Sequence, residues 1–146
     1  MYEGDRNIYQ IARKSAGFTQ EKAAELLGIS VESLRAYETG QRRPADDVVC
    51  GMADVYGTQF LAYQHLRSGQ IAYEIVPEIS EIPFERAAIR LVLRISEFAD
   101  AHRTDDLMHI AEDGVIDDIE RPRFDRIIEE LNGIIAAAME LRYARR

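Results

Sequence analysis

The chain has 146 residues, 47% hydrophobic and 30% charged, a balance that fits one globular domain or two small ones and excludes a disordered or fibrous chain. A single cysteine, Cys50, excludes an internal disulfide, and its apolar surroundings lead us to expect a buried, inert thiol. No apolar run reaches bilayer-spanning length, and the polar start MYEGDRNIYQIARK lacks a signal-peptide core, so a cytoplasmic protein with no membrane segment is expected.

A first helix is expected over about residues 5–16, with Ile8, Ile11 and Ala12 inward and Gly17 ending it. Thr19 is a good N-cap for a second, short helix opened by Glu21 and Lys22, with Ala23, Leu26 and Leu27 on one face. Gly28 stops that helix where a left-handed residue costs least. Ser30 caps a third helix, with Ile29, Leu34 and Tyr37 in the core and Gly40 closing it. A loop carrying Arg42 and Arg43 leads through Pro44 to a fourth helix, residues 45–56, with Val48, Val49, Met52, Ala53 and Tyr56 inward. Gly57 stops it, and Thr58 caps a fifth helix through about residue 66. Two short helices about a glycine turn form the unit that lays its second helix in a DNA groove.

Gly17-Phe18-Thr19-Gln20-Glu21, Ala23-Ala24, Leu27-Gly28-Ile29-Ser30, Tyr37-Glu38, Gly40, Arg42 and Pro44 together closely resemble the Cro/cI-like (XRE-type) helix-turn-helix regulators, over about residues 7–66. The resemblance implies an all-α fold: a five-helix lambda-repressor-like DNA-binding domain, residues 1–66, followed by a C-terminal helical dimerisation region. It also implies double-stranded DNA as partner. Matched position by position, Val31, Glu32, Arg35 and Ala36 are the base-facing candidates, while Ser30 and Ser33 suit phosphate or cap duty. Arg35 has the geometry for guanine, Glu32 for a cytosine amino group, and Val31 or Ala36 for a thymine methyl. Gln20 corresponds to the family's glutamine that touches a phosphate and braces the recognition helix. Lys22, Arg42 and Arg43 are added as backbone contacts. Arg13 and Glu38 correspond to an internal ion pair joining the first helix to the third.

The charge distribution opposes nucleic-acid binding in bulk, since the formal net charge is −8. Residues 1–66 hold 7 basic and 9 acidic side chains, a net of −2, and residues 67–146 hold 11 and 17, a net of −6. Most of the acid therefore lies outside the expected reading head. Of the 18 basic residues 16 are arginine, which favours bidentate contacts over diffuse attraction.

Residues 67–82 read as a linker, because Ile71, Tyr73 and Ile75 alternate with polar residues and Pro77 and Pro83 argue against a central strand. An extended arm that pairs with a partner or with its own copy is the second reading. Beyond it, Phe84, Ala87, Ala88, Leu91, Val92, Ile95 and Phe98 mark a long amphipathic helix ending near His102, and a short helix follows from Thr104 to about residue 112. A last helix from about residue 118 towards 142 carries Pro122 in its first turn and a seam of Phe124, Ile127, Leu131, Ile134, Ala138 and Leu141, widened by Ile128 and Ile135. Residues 83–146 are few for an independent core, so a homodimer sharing this seam is expected. The alternative is an antitoxin or phage-type regulator whose acidic C-terminal half binds a protein partner. A small-molecule sensor with a cavity among the C-terminal helices is a third reading.

Asp113-Gly114-Val115-Ile116-Asp117-Asp118-Ile119-Glu120 matches the second half of a calcium loop, but His109 and Ala111 stand where its first acidic ligands belong. Its expected use is local: a turn at Asp113-Gly114, Ile116 in the core, and Asp117 or Asp118 capping the last helix. His65, His102 and His109 have no metal-ligand partners at useful spacing and are expected on helix surfaces. No catalytic residue, metal site or cofactor is therefore expected, and the reading is a regulator, not an enzyme, probing a pseudo-palindromic operator as a dimeric repressor.

Overall fold

The computed structural model describes residues 7–146 and divides into two compact units, Met1–Val76 and Pro77–Arg146. The described residues are helical between their loops, with one isolated bridge between Pro83 and Arg145. The start of the first helix near residue 5 lies outside the described residues.

In the N-terminal unit the helices are α1 (Ile8–Ser15), α2 (Gln20–Leu27), α3 (Val31–Glu38), α4 (Asp46–Tyr56), α5 (Phe60–Arg67) and α6 (Gln70–Ile75). Their ends follow from capping chemistry. Asn7 Oδ1 accepts from Tyr9 N–H and Gln10 N–H, Thr19 from Lys22 N–H, and Ser30 from Ser33 N–H. Gly28 and Gly57 end α2 and α4 in the left-handed region, at φ 67° and 69°. Thr58 makes no such cap: Gln59 precedes α5 without a side-chain cap bond.

The core gathers Tyr9, Ala23, Ala24, Leu34, Tyr37, Val49, Met52, Tyr56 and Leu61, with Ile8, Ala12, Ile29, Val31 and Val48 packed at its edge. Four expectations fail here. Ile11 is 43% exposed, because α1 buries Tyr9 and Arg13 instead. Leu26 is 46% exposed, since Ala24 takes the inward position on α2. Cys50 is exposed beside the buried Val49, so the thiol is not a core group. His65, expected on a surface, is buried.

The expected linker contains α6, not an extended arm. Ile71, Tyr73 and Ile75 remain exposed on it, although Ile71 and Ile75, four residues apart, share one face. Arg67 holds the segment: Nε donates to the Val76 carbonyl at 3.2 Å, and the guanidinium lies 4.5 Å from the Tyr73 ring centroid.

The C-terminal unit comprises α7 (Phe84–Asp100), α8 (Arg103–Ile110) and α9 (Arg121–Arg142), with Pro122 in the first turn of α9. Helices α7 and α9 run antiparallel. Phe84 N–H donates to the Arg145 carbonyl at one end, Arg90 pairs with Glu140 at 2.7 Å, and Arg103 forks onto Glu130 at 2.9 and 3.0 Å near the other. Glu140 is buried and also accepts from Ser80 N–H, tying the entry segment to α9. Ile79, Ile82, Ala87, Ile110, Ile127 and Ala137 form the buried set. Asp113 and Asp117 serve the turns: Asp113 Oδ1 accepts from Val115 N–H, and Asp117 Oδ1 from the N–H groups of Ile119 and Glu120.

The unit leaves much of its apolar surface uncovered. Val92 and Ile95 on α7 and Ile128 and Ile135 on α9 are exposed, with Ile89 and Leu93 beside them. At 100° per residue and with the helices antiparallel, the first four fall on the same side of the α7–α9 contact line.

Candidate nucleic-acid interface

The helix that matters is α3, and its orientation is set by a buried charge cluster. Arg13 on α1 donates from Nε to Glu38 Oε1 at 2.5 Å and from Nη2 to Glu38 Oε2 at 3.1 Å. Its Nη1 donates to the Phe18 carbonyl at 2.6 Å, and Gln20 Nε2 on α2 donates to Glu38 Oε2 at 2.9 Å. One carboxylate at the end of α3 thus ties α1, α2 and α3 together. The hydrogen bond to Glu38 raises the Arg13 pKa above its ordinary value, against the opposing cost of burial. Losing one partner of such a pair costs about 3–5 kcal/mol, because the other charge is left buried alone. Asn7 adds a second tie, its Nδ2 donating to the Tyr37 carbonyl at 2.9 Å.

Fixed in this way, α3 turns Val31, Glu32, Arg35 and Ala36 to one face, since residues three and four apart are neighbours on a helix. Glu32 and Arg35 are exposed, with no ion pair among the described residues. Ala36 is half-buried, and Val31 is half-buried because it also packs against the core. Ser30 and Ser33 engage each other, the Ser30 hydroxyl donating to Ser33 Oγ at 2.9 Å while it caps the helix. Gln20 stands at the start of α2 as the brace just described. Lys22 is exposed and pairs with Glu25 at 3.1 Å.

The two loop arginines differ. Arg42 is exposed and lies 4.9 Å from the Tyr37 ring centroid. Arg43 reaches back to α5, its Nη1 donating to Ser68 Oγ at 2.6 Å and its Nη2 to the His65 carbonyl at 2.9 Å. Sequence reasoning missed what lies behind it. Tyr9 Oη meets His65 Nδ1 at 2.7 Å, and His65 Nε2 meets Asp46 Oδ1 at 3.0 Å. A carboxylate only accepts, so Nε2 carries a proton and donates to Asp46; in the neutral imidazole Nδ1 then accepts from Tyr9. Burial pushes the Tyr9 phenol up, with Arg43 opposing. The members come from α1, the N-terminus of α4 and α5, so no local spacing announced them.

Among the described residues, no group of three or more His, Cys, Asp or Glu stands ready to hold a metal, and no helix is long and apolar enough to cross a membrane.

Two short helices joined at a left-handed glycine, the second locked by a buried clasp and showing an unpaired polar face, define a helix-turn-helix module of the kind that presents a reading helix to DNA. Residues 10–61 match the family model described as Helix-turn-helix. The match supports the Cro/cI-like, XRE-type helix-turn-helix reading of this segment and, with it, a DNA-binding regulator. Neither the comparison with curated proteins nor that with solved structures gives a match.

Proposed function

We propose that the protein is a sequence-specific transcriptional repressor that reads a pseudo-palindromic operator as a homodimer, with half-sites about 34–36 Å apart. The observation that carries this reading is the outer face of α3, where Glu32 and Arg35 stand exposed on a helix whose angle the Arg13–Glu38 clasp fixes. Val31 and Ala36 complete the reading surface. Ser30, Ser33, Gln20, Lys22 and Arg42 supply backbone contacts, and Arg43 joins them when released from Ser68. With a net charge of −8, non-specific affinity is weak, so operator selection rests on base contacts and on the dimer.

The dimer reading is supported by the exposed apolar side of α7 and α9, which a second copy would cover. The same surface, in a half with a net charge of −6, supports the second reading, a protein partner held by the C-terminal unit. Co-purification at fixed stoichiometry would favour the partner, and a stable partner-free dimer would favour the repressor.

The test is selection of bound sequences from random duplex DNA, first at low and then near physiological salt. An enriched inverted repeat at the higher salt is expected. Arg35→Ala should then cost about 1–3 kcal/mol and relax preference at one position of each half-site. Unchanged affinity and preference in that variant would remove α3 from the interface.

A further inference from the structure

The N-terminal unit carries an open groove of about 650 Å³, with Leu66, Ile71 and Asp46 exposed along it, that the DNA-binding reading does not use. Helices α4, α5 and α6 wall it, with Val49, Ala62, Leu66 and Ala72 as its apolar body. Arg43 and Asp46 stand at its polar end, beside the buried His65. Its volume lies within the usual range for small-molecule sites, and few polar groups converging at one end of an apolar space is their usual design. By contrast, the cavity of the C-terminal unit at Arg94, Glu97, Phe98 and Glu130 is about 110 Å³ and bordered mainly by charge.

The polar end selects the ligand's head. Arg43 has spent one N–H on Ser68 Oγ and one on the His65 carbonyl, which leaves guanidinium donors unused. Asp46 spends one oxygen on His65 Nε2 and is otherwise open, which leaves acceptor capacity. Both groups approach the same imidazole nitrogen, Arg43 Nη2 at 3.5 Å and Asp46 Oδ1 at 3.0 Å, so a cation and an anion stand side by side. An anionic head would gain Arg43 but meet Asp46, with Asp47 next in the chain, and a cationic head would gain Asp46 but meet Arg43. A neutral head carrying an acceptor and a donor together satisfies both.

We propose that this groove is a binding site for a small amphipathic amide, its carbonyl taking a hydrogen bond from Arg43, its N–H donating to Asp46, and its hydrocarbon portion lying along Val49, Ala62, Leu66 and Ala72. The Tyr9–His65–Asp46 chain holds the acceptor in place from behind. Arg43 also belongs to the loop proposed to meet DNA, so head-group capture and phosphate contact compete for one guanidinium. That consequence alone rests on the DNA-binding reading, and the site is tested without DNA.

The experiment titrates the full-length ¹⁵N-labelled chain with hexanamide, hexanoate and hexylammonium and follows the amide signals. Hexanamide is expected to move Val49, Cys50, Ala62 and Leu66 and to bind at least about fivefold more tightly than either charged analogue, because each of those leaves a polar group facing a like charge. Cys50 is exposed at the groove wall, so saturating hexanamide should also slow its alkylation by iodoacetamide several-fold. Ala72→Leu, and independently Ala62→Leu, should weaken binding by filling the space, with circular dichroism confirming the fold of each. Absence of shifts at the groove residues up to the solubility limit, equal binding of the three heads, or unchanged binding in a folded Ala72→Leu chain would each overturn the proposal.

Discussion

Tyr56 puts its hydroxyl inside the N-terminal core with no hydrogen-bond partner among the described residues, close to the Arg13–Glu38 clasp. Burial, and after it the Glu38 carboxylate, pushes the phenol from its ordinary 10.0 up to about 12. An unsatisfied buried hydroxyl is a cost, so Tyr56→Phe should raise stability at neutral pH by about 1 kcal/mol in urea unfolding. The pH dependence has a defined sign. A phenol whose pKa is raised on folding contributes stability that is whole below the unfolded value of 10.0 and is lost as pH rises towards about 12. The wild type should therefore lose stability over that window more steeply than Tyr56→Phe. A variant less stable than wild type at neutral pH would show that the hydroxyl is satisfied in solution. The same core shows why single residues were the least legible part of the sequence. Tyr9, Arg13 and His65 are buried because partners from other helices receive their polar atoms, and neither hydropathy nor spacing reports a partner 25 or 56 residues away. Arg13 and Glu38 were legible through the family resemblance alone, and Arg43's attachment to α5 was not legible at all.

Helices α2 to α4 were legible because their limits are local chemistry: Thr19, Ser30, Gly28 and Gly57 act within a few residues of themselves. The outer face of α3 followed for the same reason, since a known start and a period of 3.6 residues place Glu32 and Arg35 together. Helix α6 has six residues, no side-chain cap and no buried face, and its fixing contact is the Arg67 side chain from the end of α5, so its sequence carries an alternation that its structure does not use. In α9 one residue opposes its own element. Gly133 sits in the helix interior, and an added Cβ would lie 2.8 Å from Arg94 Nη1. That atom is the far end of a flexible side chain, which can shift. Gly133→Ala is therefore expected to gain about 0.5–1 kcal/mol from the lost backbone freedom of glycine, measured by thermal or urea unfolding. A net loss instead would mean that the seat of Arg94 over the glycine holds α7 to α9.

For the molecule as a whole, the exposed apolar side of α7 and α9 and the excess of acid pull in opposite directions. A second copy docked by a two-fold axis would bury Val92, Ile95, Ile128 and Ile135 of each chain against their equivalents, a self-complementary arrangement that closes. It would also bring together two halves that each carry a net charge of −6. Apolar burial is insensitive to modest salt, whereas repulsion between exposed charges is screened, with a Debye length of about 10 Å at 0.1 M and 3 Å at 1 M. The dimer should therefore tighten as salt rises, while operator binding, driven by phosphate contacts, weakens. Sedimentation equilibrium at about 0.05 and 0.5 M salt measures the first trend and operator titration the second. Val92→Asp and Ile135→Asp should each shift the chain to monomer with helicity retained, and Ile119→Asp, changing a residue 87% exposed in the turn before α9, should not. A dimer that survives both aspartates, or that loosens with salt, would place the self-association elsewhere and free this face for the acidic half's other expected occupant, a protein partner.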